Sequence, residues 1–308
     1  MPRQQLLSEW QGKDAMALDL RQFASIVRVT DGAWGTELQA RGLPAGACPE
    51  TWNIENPGAV EAVARGYVEA GSDVILTNTF GGNRFVLERH GAGGRVAELC
   101  EAGARISRKA AGDLVKVFAS VGPSGLIVMT GDVPQEHISQ AFAEAAAALA
   151  HGGAHAIVLE SFNELEELVI ALKAVKKATN LPVVASMTFS AGPDKTRTMM
   201  GNAPGDLARA AGECGADAVG ANCGVGPESY VRVAELLQAA TDLPVWIKPN
   251  AGLPVVKDGR TVFAMGPEEF ASFVPKLIDA GADFIGGCCG TTPEHVRAVL
   301  AAAGQQRR

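Results

Sequence analysis

Residues 279–289 read Asp279-Ala280-Gly281-Ala282-Asp283-Phe284-Ile285-Gly286-Gly287-Cys288-Cys289, "DAGADFIGGCC". A glycine just past a run of helical character is the usual stop for a helix, and the apolar pair that follows opens a β-rich run. The same small-residue stop recurs as "EAGSD" at 69–73, "HGGAH" at 151–155 and "ECGAD" at 213–217, each time just before a strand-like stretch.

Working outward from these stops gives eight β-rich runs, at 26–30, 73–77, 115–121, 156–160, 183–189, 218–223, 245–249 and 284–288. Helix candidates follow them at 57–70, 96–113, 138–151, 164–179, 205–214, 228–241, 267–280 and 293–303. Regular alternation of strand and helix means parallel strands, in either a closed barrel or an open doubly wound sheet. Eight repeats without a break in composition favour the barrel. The first turn, "TDGAWGTEL", carries glycines but not the G-x-G-x-x-G dinucleotide fingerprint, which weakens the open-sheet reading further. The expectation is therefore an α/β chain with a single (β/α)8 TIM barrel over 26–308 and a helical extension at 1–25. A length of 308 residues agrees with this, since barrels of about 250 residues form one unit.

Composition narrows the function classes. Hydrophobic residues make up 47% and charged residues 20%, the balance of a chain able to bury a large core. The net charge of −7 offers no basic footprint for nucleic acid. The first residues, "MPRQQLLSEWQGKDAMALDLRQF", break their apolar positions with charges every few residues, so they read as neither a signal peptide nor a membrane span. A cytoplasmic protein acting on a small molecule is expected. Six cysteines in a reducing compartment point to metal binding, catalysis or burial rather than to disulfides.

In a barrel, chemistry collects at the C-terminal ends of the strands. The residues leaving the eight strands are Asp31, Asn78, Pro123, Glu160, Thr188 with Phe189, Cys223, Lys248 to Asn250, and the Cys288-Cys289 pair. Closure would bring Cys223 to the pair across 65 positions (288 minus 223). Neighbouring side chains in a strand point to opposite faces, so Cys288 and Cys289 reach one point only where the backbone turns, and the flanking glycines permit that turn. Three thiolates with a fourth position left for a ligand make a reasonable catalytic zinc site. The bland alternative is three small buried hydrophobes, although glycines on both sides of the pair serve no packing purpose. Cys48, Cys100 and Cys214 fall in a loop or on helices instead.

At this point five motifs in order, "DGAWGTEL", "TNTFGGN", "GANCG", "PNAG" and "GGCCGTTPEH", resemble the homocysteine S-methyltransferase family, over nearly the whole chain from Asp31 to about His295. In detail they look closer to the homocysteine module of cobalamin-dependent methionine synthase. The resemblance implies that Cys223, Cys288 and Cys289 bind zinc and that the matching acids, Asp31 and Glu160, hold the amino group of homocysteine. Each acid has a plainer reading: Asp31 before Gly32 as a turn former, Glu160 as a helix cap. Backbone N–H groups around Gly32 could receive the substrate carboxylate, and Asn250 could place its oxygen at the fourth zinc position or serve as a structural amide.

With the sequence running to Arg308, soon after the eighth helix, folate and cobalamin domains are not expected within it. Two kinds of methyl donor follow as expectations. One is methylcobalamin or methyltetrahydrofolate carried by a corrinoid or folate-binding partner; the other is S-methylmethionine or a betaine bound directly. Aromatic residues are scarce, 6% of the chain, which disfavours an aromatic cage for a betaine, although Trp34 and Trp52 fall in loops on the correct side.

Rival readings attach to other residues. Lys248 suggests a Schiff-base lyase, against which an exposed, ordinary lysine is the expectation. "GGCCGTTPEH" could cradle a phosphate, but Glu294 in the first helical turn would repel it. A zinc-stabilised scaffold is a third reading, weakened by there being three convincing ligands where a structural site takes four. His90, His137, His151 and His155 are expected to be solvated or structural, and His295 to lie on a helix surface.

Overall fold

A computed structural model describes residues 18–257 and 260–304. Its strands are β1 (Arg28–Val29), β2 (Val74–Ile75), β3 (Lys116–Val121), β4 (Ala156–Phe162), β5 (Val183–Met187), β6 (Ala218–Asn222), β7 (Val245–Lys248), β8 (Pro254–Lys257), β9 (Arg260–Phe263) and β10 (Phe284–Ile285). Eight of them pair in the order β1-β10-β7-β6-β5-β4-β3-β2. All seven pairings within this sheet are parallel, and a parallel bridge between Thr30 and Val74 joins β1 to β2 and closes the ring. This is the expected (β/α)8 barrel. Among the described residues no helix is long and apolar enough to cross a membrane.

The four repeated stops do more than end helices. Gly71, Gly153, Gly215 and Gly281 all adopt positive φ, between 76° and 95°. The residue after each glycine donates its N–H back to the last helical turn: Ser72 to Tyr67, Ala154 to Leu149, Ala216 to Ala211 and Ala282 to Leu277. The next residue then reaches sideways to the neighbouring strand. Asp73, Asp217 and Asp283 accept the backbone N–H groups of Val29, Val183 and Val245 at 2.7, 2.8 and 2.8 Å, and His155 Nδ1 accepts that of Val117 at 2.8 Å. One five-residue motif thus terminates a helix and ties the foot of an adjacent strand.

Inside the ring, alternate residues of each strand point inward. The lower layers are apolar and include Val74, Phe118, Val158, Val184, Trp246 and Phe284, with Phe118 and Trp246 stacked at 5.8 Å between ring centroids. Gly220 occupies the inward position beside Trp246, where a Cβ would collide with the indole residue's own backbone. The helix Leu20–Phe23, capped by Asp19, lays Leu20 against this cluster and Phe23 against Phe118 and Phe284, closing the foot of the barrel. It is the described part of the expected extension; residues 1–17 of that expectation lie outside the described residues.

Two departures have physical causes. The helix expected over 267–280 is two, Pro267–Ala271 and Val274–Asp279. Pro275 lacks an N–H and its ring would clash with the carbonyl of Ala271, so the helix restarts around it. The second departure is the antiparallel hairpin of β8 and β9, which follows β7 on the rim and was not anticipated.

Candidate metal centre and substrate pocket

Cys223 follows β6 directly and holds φ at +66°, a conformation uncommon for a residue with a side chain. Gly224 continues at +69°. The strained pair is anchored on three sides: Cys223 N–H donates to Lys248 O at 3.0 Å, Val225 N–H to Cys223 O at 2.8 Å, and the buried Tyr230 hydroxyl to Cys223 O at 2.8 Å. Strain of this kind persists where the surroundings over-determine it.

The adjacent pair is placed by the two neighbouring strands. β10 ends at Ile285, and the chain then turns across the barrel mouth. Gly287 N–H donates to Asp31 O at 3.0 Å, Cys288 N–H to Pro249 O at 2.7 Å and Cys289 N–H to Asn250 Oδ1 at 3.1 Å. Thr291 N–H closes the turn on Cys288 O at 3.1 Å, with Gly290 at φ +82°. Both cysteines of the pair therefore face the same point, as the glycines led one to expect.

The three sulfurs lie within 4.8 Å of one another, with Cys223 Sγ 4.0 Å from Cys289 Sγ. Sulfurs held about 2.3 Å from one tetrahedral zinc ion would stand roughly 3.8 Å apart, so the arrangement fits such an ion with small adjustment. Hydrogen bonds from Cys288 and Cys289 pull the Cys223 thiol down to about 3, while hydrogen bonding to Cys223 pushes the Cys289 thiol up to about 12 and raises that of Cys288 as well. An all-sulfur donor set suits a soft or borderline cation. Among the described residues these three form the one group of His, Cys, Asp and Glu side chains placed to hold a metal.

Below the sulfurs, the inward positions turn polar: Ser120, Glu160, Ser186, Asn222 and Lys248. Glu160 is 6% exposed; the Ser120 hydroxyl donates to its Oε1, and Asn222 Nδ2 stands 3.5 Å from its Oε2. Burial pushes its carboxyl up to about 6. Asn222 is fixed by Ser161 N–H and the Ser186 hydroxyl at 2.8 and 2.7 Å on its Oδ1. Ser161 itself sits at φ +64°, where β4 shifts register against β5, so the strand bulges at the residue after Glu160.

Several expectations change here. Lys248 is not an exposed lysine: it is 1% exposed, its ammonium donates to Asp31 Oδ1, and it lies 5.6 Å from the centre of the Trp246 ring. Asp31 is fully buried, and its Oδ2 accepts from Trp34 Nε1 at 2.7 Å and Leu76 N–H at 2.6 Å. The Asn250 oxygen is spent on the Cys289 N–H, which turns its amide nitrogen toward Cys223. His295 is not on a helix surface but 6% exposed, with Nε2 3.0 Å from Met265 O and its ring edge-on to Phe270. Met265, two residues past the hairpin, is held over the mouth by its N–H, which donates to Ala251 O at 3.2 Å. Gly32 is required for space, because a Cβ there would come within 2.8 Å of both Tyr67 Oη and Thr291 Oγ1. Cys48, Cys100 and Cys214 take no part, and burial pushes the Cys48 thiol up to about 12.

Ser120, Ser186 and Asn222 were missed. Each lies two residues beyond an inward-facing Phe118, Val184 or Gly220, so extending the period-two alternation to the strand ends would have found them.

A family model described as homocysteine S-methyltransferase matches residues 28–303. Methionine synthase of Mycobacterium tuberculosis is 34% identical over 303 residues, covering 92% of this chain and 25% of the relative. Betaine–homocysteine S-methyltransferase 1 of Danio rerio is 28% identical over 309 residues, covering 92% of this chain and 74% of the relative. This chain therefore spans about a quarter of the length of the methionine synthase it matches. Among solved structures, the metallated form of the homocysteine methyltransferase MmuM from Escherichia coli has a TM-score of 0.77 at 23% identity, with 92% of this chain and 99% of that one covered; the likeness speaks for the fold. The chain belongs to the homocysteine S-methyltransferase family.

Proposed function

We propose that the protein transfers a methyl group to the sulfur of homocysteine, giving methionine, with zinc held by Cys223, Cys288 and Cys289. The observation that carries this reading is the convergence of three sulfurs within 4.8 Å at the strand ends, near enough to the buried carboxylate of Glu160 for its charge to act on Cys223 and Cys289. Zinc bound there would hold the acceptor thiol as a thiolate, which a free thiol with a pKa of about 8.5 mostly is not at neutral pH. The protein's own groups do the rest. Glu160 offers an anionic oxygen to the acceptor's ammonium, and the turn around Gly32 lies beside the pair through the Gly287 to Asp31 bond. The bulged β4 and the fixed amide of Asn222 hold Glu160 in place. The lyase alternative loses its support, because the Lys248 ammonium is committed to Asp31. The free thiols of all six cysteines match the reducing conditions of a cytoplasmic protein.

A second observation bears on the methyl donor. Phe80, Ile127, Met129, Met199, Leu253 and Val255 are large hydrophobic side chains left exposed, and all lie in segments that follow the C-terminal ends of strands β2, β3, β5 and β7. They therefore share the face on which the sulfurs open. An exposed apolar surface of this kind marks a contact site. It favours a donor presented by a corrinoid or folate-binding protein or domain over a small sulfonium or betaine. The test is methionine formation, measured by mass spectrometry, from homocysteine and zinc-loaded protein with methylcobalamin, S-methylmethionine or glycine betaine in parallel. Turnover with methylcobalamin supports the carried donor. Turnover with S-methylmethionine or betaine alone replaces it with a self-sufficient enzyme, and bound zinc without binding of homocysteine refutes the acceptor.

A further inference from the structure

Inward and outward positions alternate along β6, and Cys223 breaks the alternation. Gly220 and Asn222 face the barrel interior in register with Trp246 and Lys248, while Val219 and Ala221 belong to the apolar layer under the helices. Carried one residue further, the strand would send the Cys223 side chain into that outer layer. Its sulfur lies instead with those of Cys288 and Cys289 at the mouth, 4.0 Å from that of Cys289. The turn at Cys223 and Gly224, with φ at +66° and +69°, makes this reversal, and a residue with a side chain holds such a conformation only when its surroundings enforce it.

Two carbonyls flank the turn, and one hydroxyl reaches both. Tyr230 Oη donates to Asn222 O at 2.9 Å and to Cys223 O at 2.8 Å, sharing one proton between them. The ring is fully buried on the helix Pro227–Gln238 and packed in the main apolar core, which fixes where the hydroxyl points. The other donors touch one carbonyl each: Thr188 Oγ1 reaches Asn222 O at 3.0 Å, and Val225 N–H reaches Cys223 O at 2.8 Å. Turning the Cys223 peptide back to strand geometry would take its carbonyl away from the Tyr230 hydroxyl and strand it in a buried place.

We propose that Tyr230 is a positioning residue for the metal centre: its hydroxyl holds the left-handed turn that swings Cys223 from the helix layer into the mouth, so that the third sulfur is in place before a metal binds. This rests on the reading of the three cysteines as zinc ligands. With the hydroxyl present, the strain of the turn is met by the folded protein itself. Without it, that strain is set against metal binding, and the affinity falls although all three ligands remain.

The experiment measures zinc affinity of the full chain by competition with a chromophoric chelator, together with binding of cobalt(II), whose thiolate charge-transfer absorption reports how many sulfurs are bound. Tyr230→Phe keeps the ring and removes the hydroxyl. Zinc affinity is expected to fall by roughly 10- to 100-fold, and the cobalt(II) band by about a third as bound sulfurs drop from three toward two. Thr188→Val is the comparison, since it removes a hydroxyl from Asn222 O and none from Cys223 O. It is expected to change zinc affinity by less than about threefold, because that carbonyl keeps a second donor. A purely structural tyrosine would lower Tm of the chelator-treated and zinc-loaded proteins alike, with zinc affinity and the cobalt(II) band unchanged. That result, or an equal loss of affinity in Thr188→Val, overturns the proposal. Should Tyr230→Phe fail to fold, amide hydrogen exchange of the metal-free parent decides: protection of Val225 N–H, which the turn bonds to Cys223 O, supports a turn set by the protein, and exchange at the open-chain rate overturns it. A parent protein that binds neither metal refutes the zinc reading itself, whereas a parent that binds both and a Tyr230→Phe protein that matches it refute only the role of Tyr230.

Discussion

Replacing Cys223 with serine probes the metal centre most directly, and the structure sets the size of the effect. The three sulfurs, at 4.0 Å for one pair and within 4.8 Å for all, need to close by less than about 1 Å to reach the roughly 3.8 Å spacing of a tetrahedral zinc site. The site is thus largely preformed, and binding should stabilise the fold by mass action. With free zinc about 1,000-fold above its dissociation constant the gain is about 4 kcal/mol. For a chain of this size each kcal/mol raises Tm by about 2 °C, so the expected rise is roughly 8 °C relative to chelator-treated protein. In Cys223→Ser, two sulfurs remain, and the rise should fall below about 2 °C together with loss of bound zinc and of methyl transfer. Scanning calorimetry with and without a chelator, paired with metal analysis, reads both effects. Cys214→Ser is the control, since Cys214 caps the end of the helix Pro204–Glu213 and stands outside the cluster. A Cys223→Ser protein that keeps stoichiometric zinc and the full rise in Tm would refute the metal centre as described.

Two further predictions concern the frame around the site. Gly32→Ala puts a methyl group 2.8 Å from Tyr67 Oη and Thr291 Oγ1; since Thr291 Oγ1 also donates to Cys288 O at 2.7 Å, the change should cost about 1–3 kcal/mol and loosen zinc retention, and an unchanged Tm and metal content would contradict it. His155 has its ring pushed down to about 4 from the ordinary 6.5, first by burial and then by Arg108 and Lys116. The unfolded chain binds that proton more readily, so its contribution to stability is complete above pH 6.5 and is lost as pH falls toward 4. His155→Asp, which restores the residue used in the other three motifs, should abolish that part of the acid sensitivity; denaturant midpoints across this range that fall in parallel for both proteins would refute it.

The barrel was legible in the sequence because its punctuation is local. Each helix stop needs a glycine at positive φ within a few residues, and Gly71, Gly153, Gly215 and Gly281 stand where the motif predicts. The sulfur cluster was legible for a related reason: the thiols are rare side chains, they fall at strand ends, and closure of the ring forces strand ends together. The hairpin after β7 was not, since its short runs lie between a strand and a helix and the period of either is too brief to register there.

Charge and burial within the mouth were decided by tertiary structure alone. Lys248 reads as an ordinary lysine in "IKPNAG", and nothing nearby in the chain shows that Asp31, 217 residues away, will neutralise it. His295 likewise looks like a helix-surface residue until Met265 and Phe270, brought over by the hairpin and the broken helix, cover it. The sequence by itself determined which elements form, where they stop and which side chains stand at the strand ends, because dihedral preferences and side-chain alternation act over a few residues. Which of those side chains pair, and which carboxylate is left with an acceptor to offer, depended on three-dimensional closure, because ion pairs and desolvation act through space between residues that the chain keeps far apart.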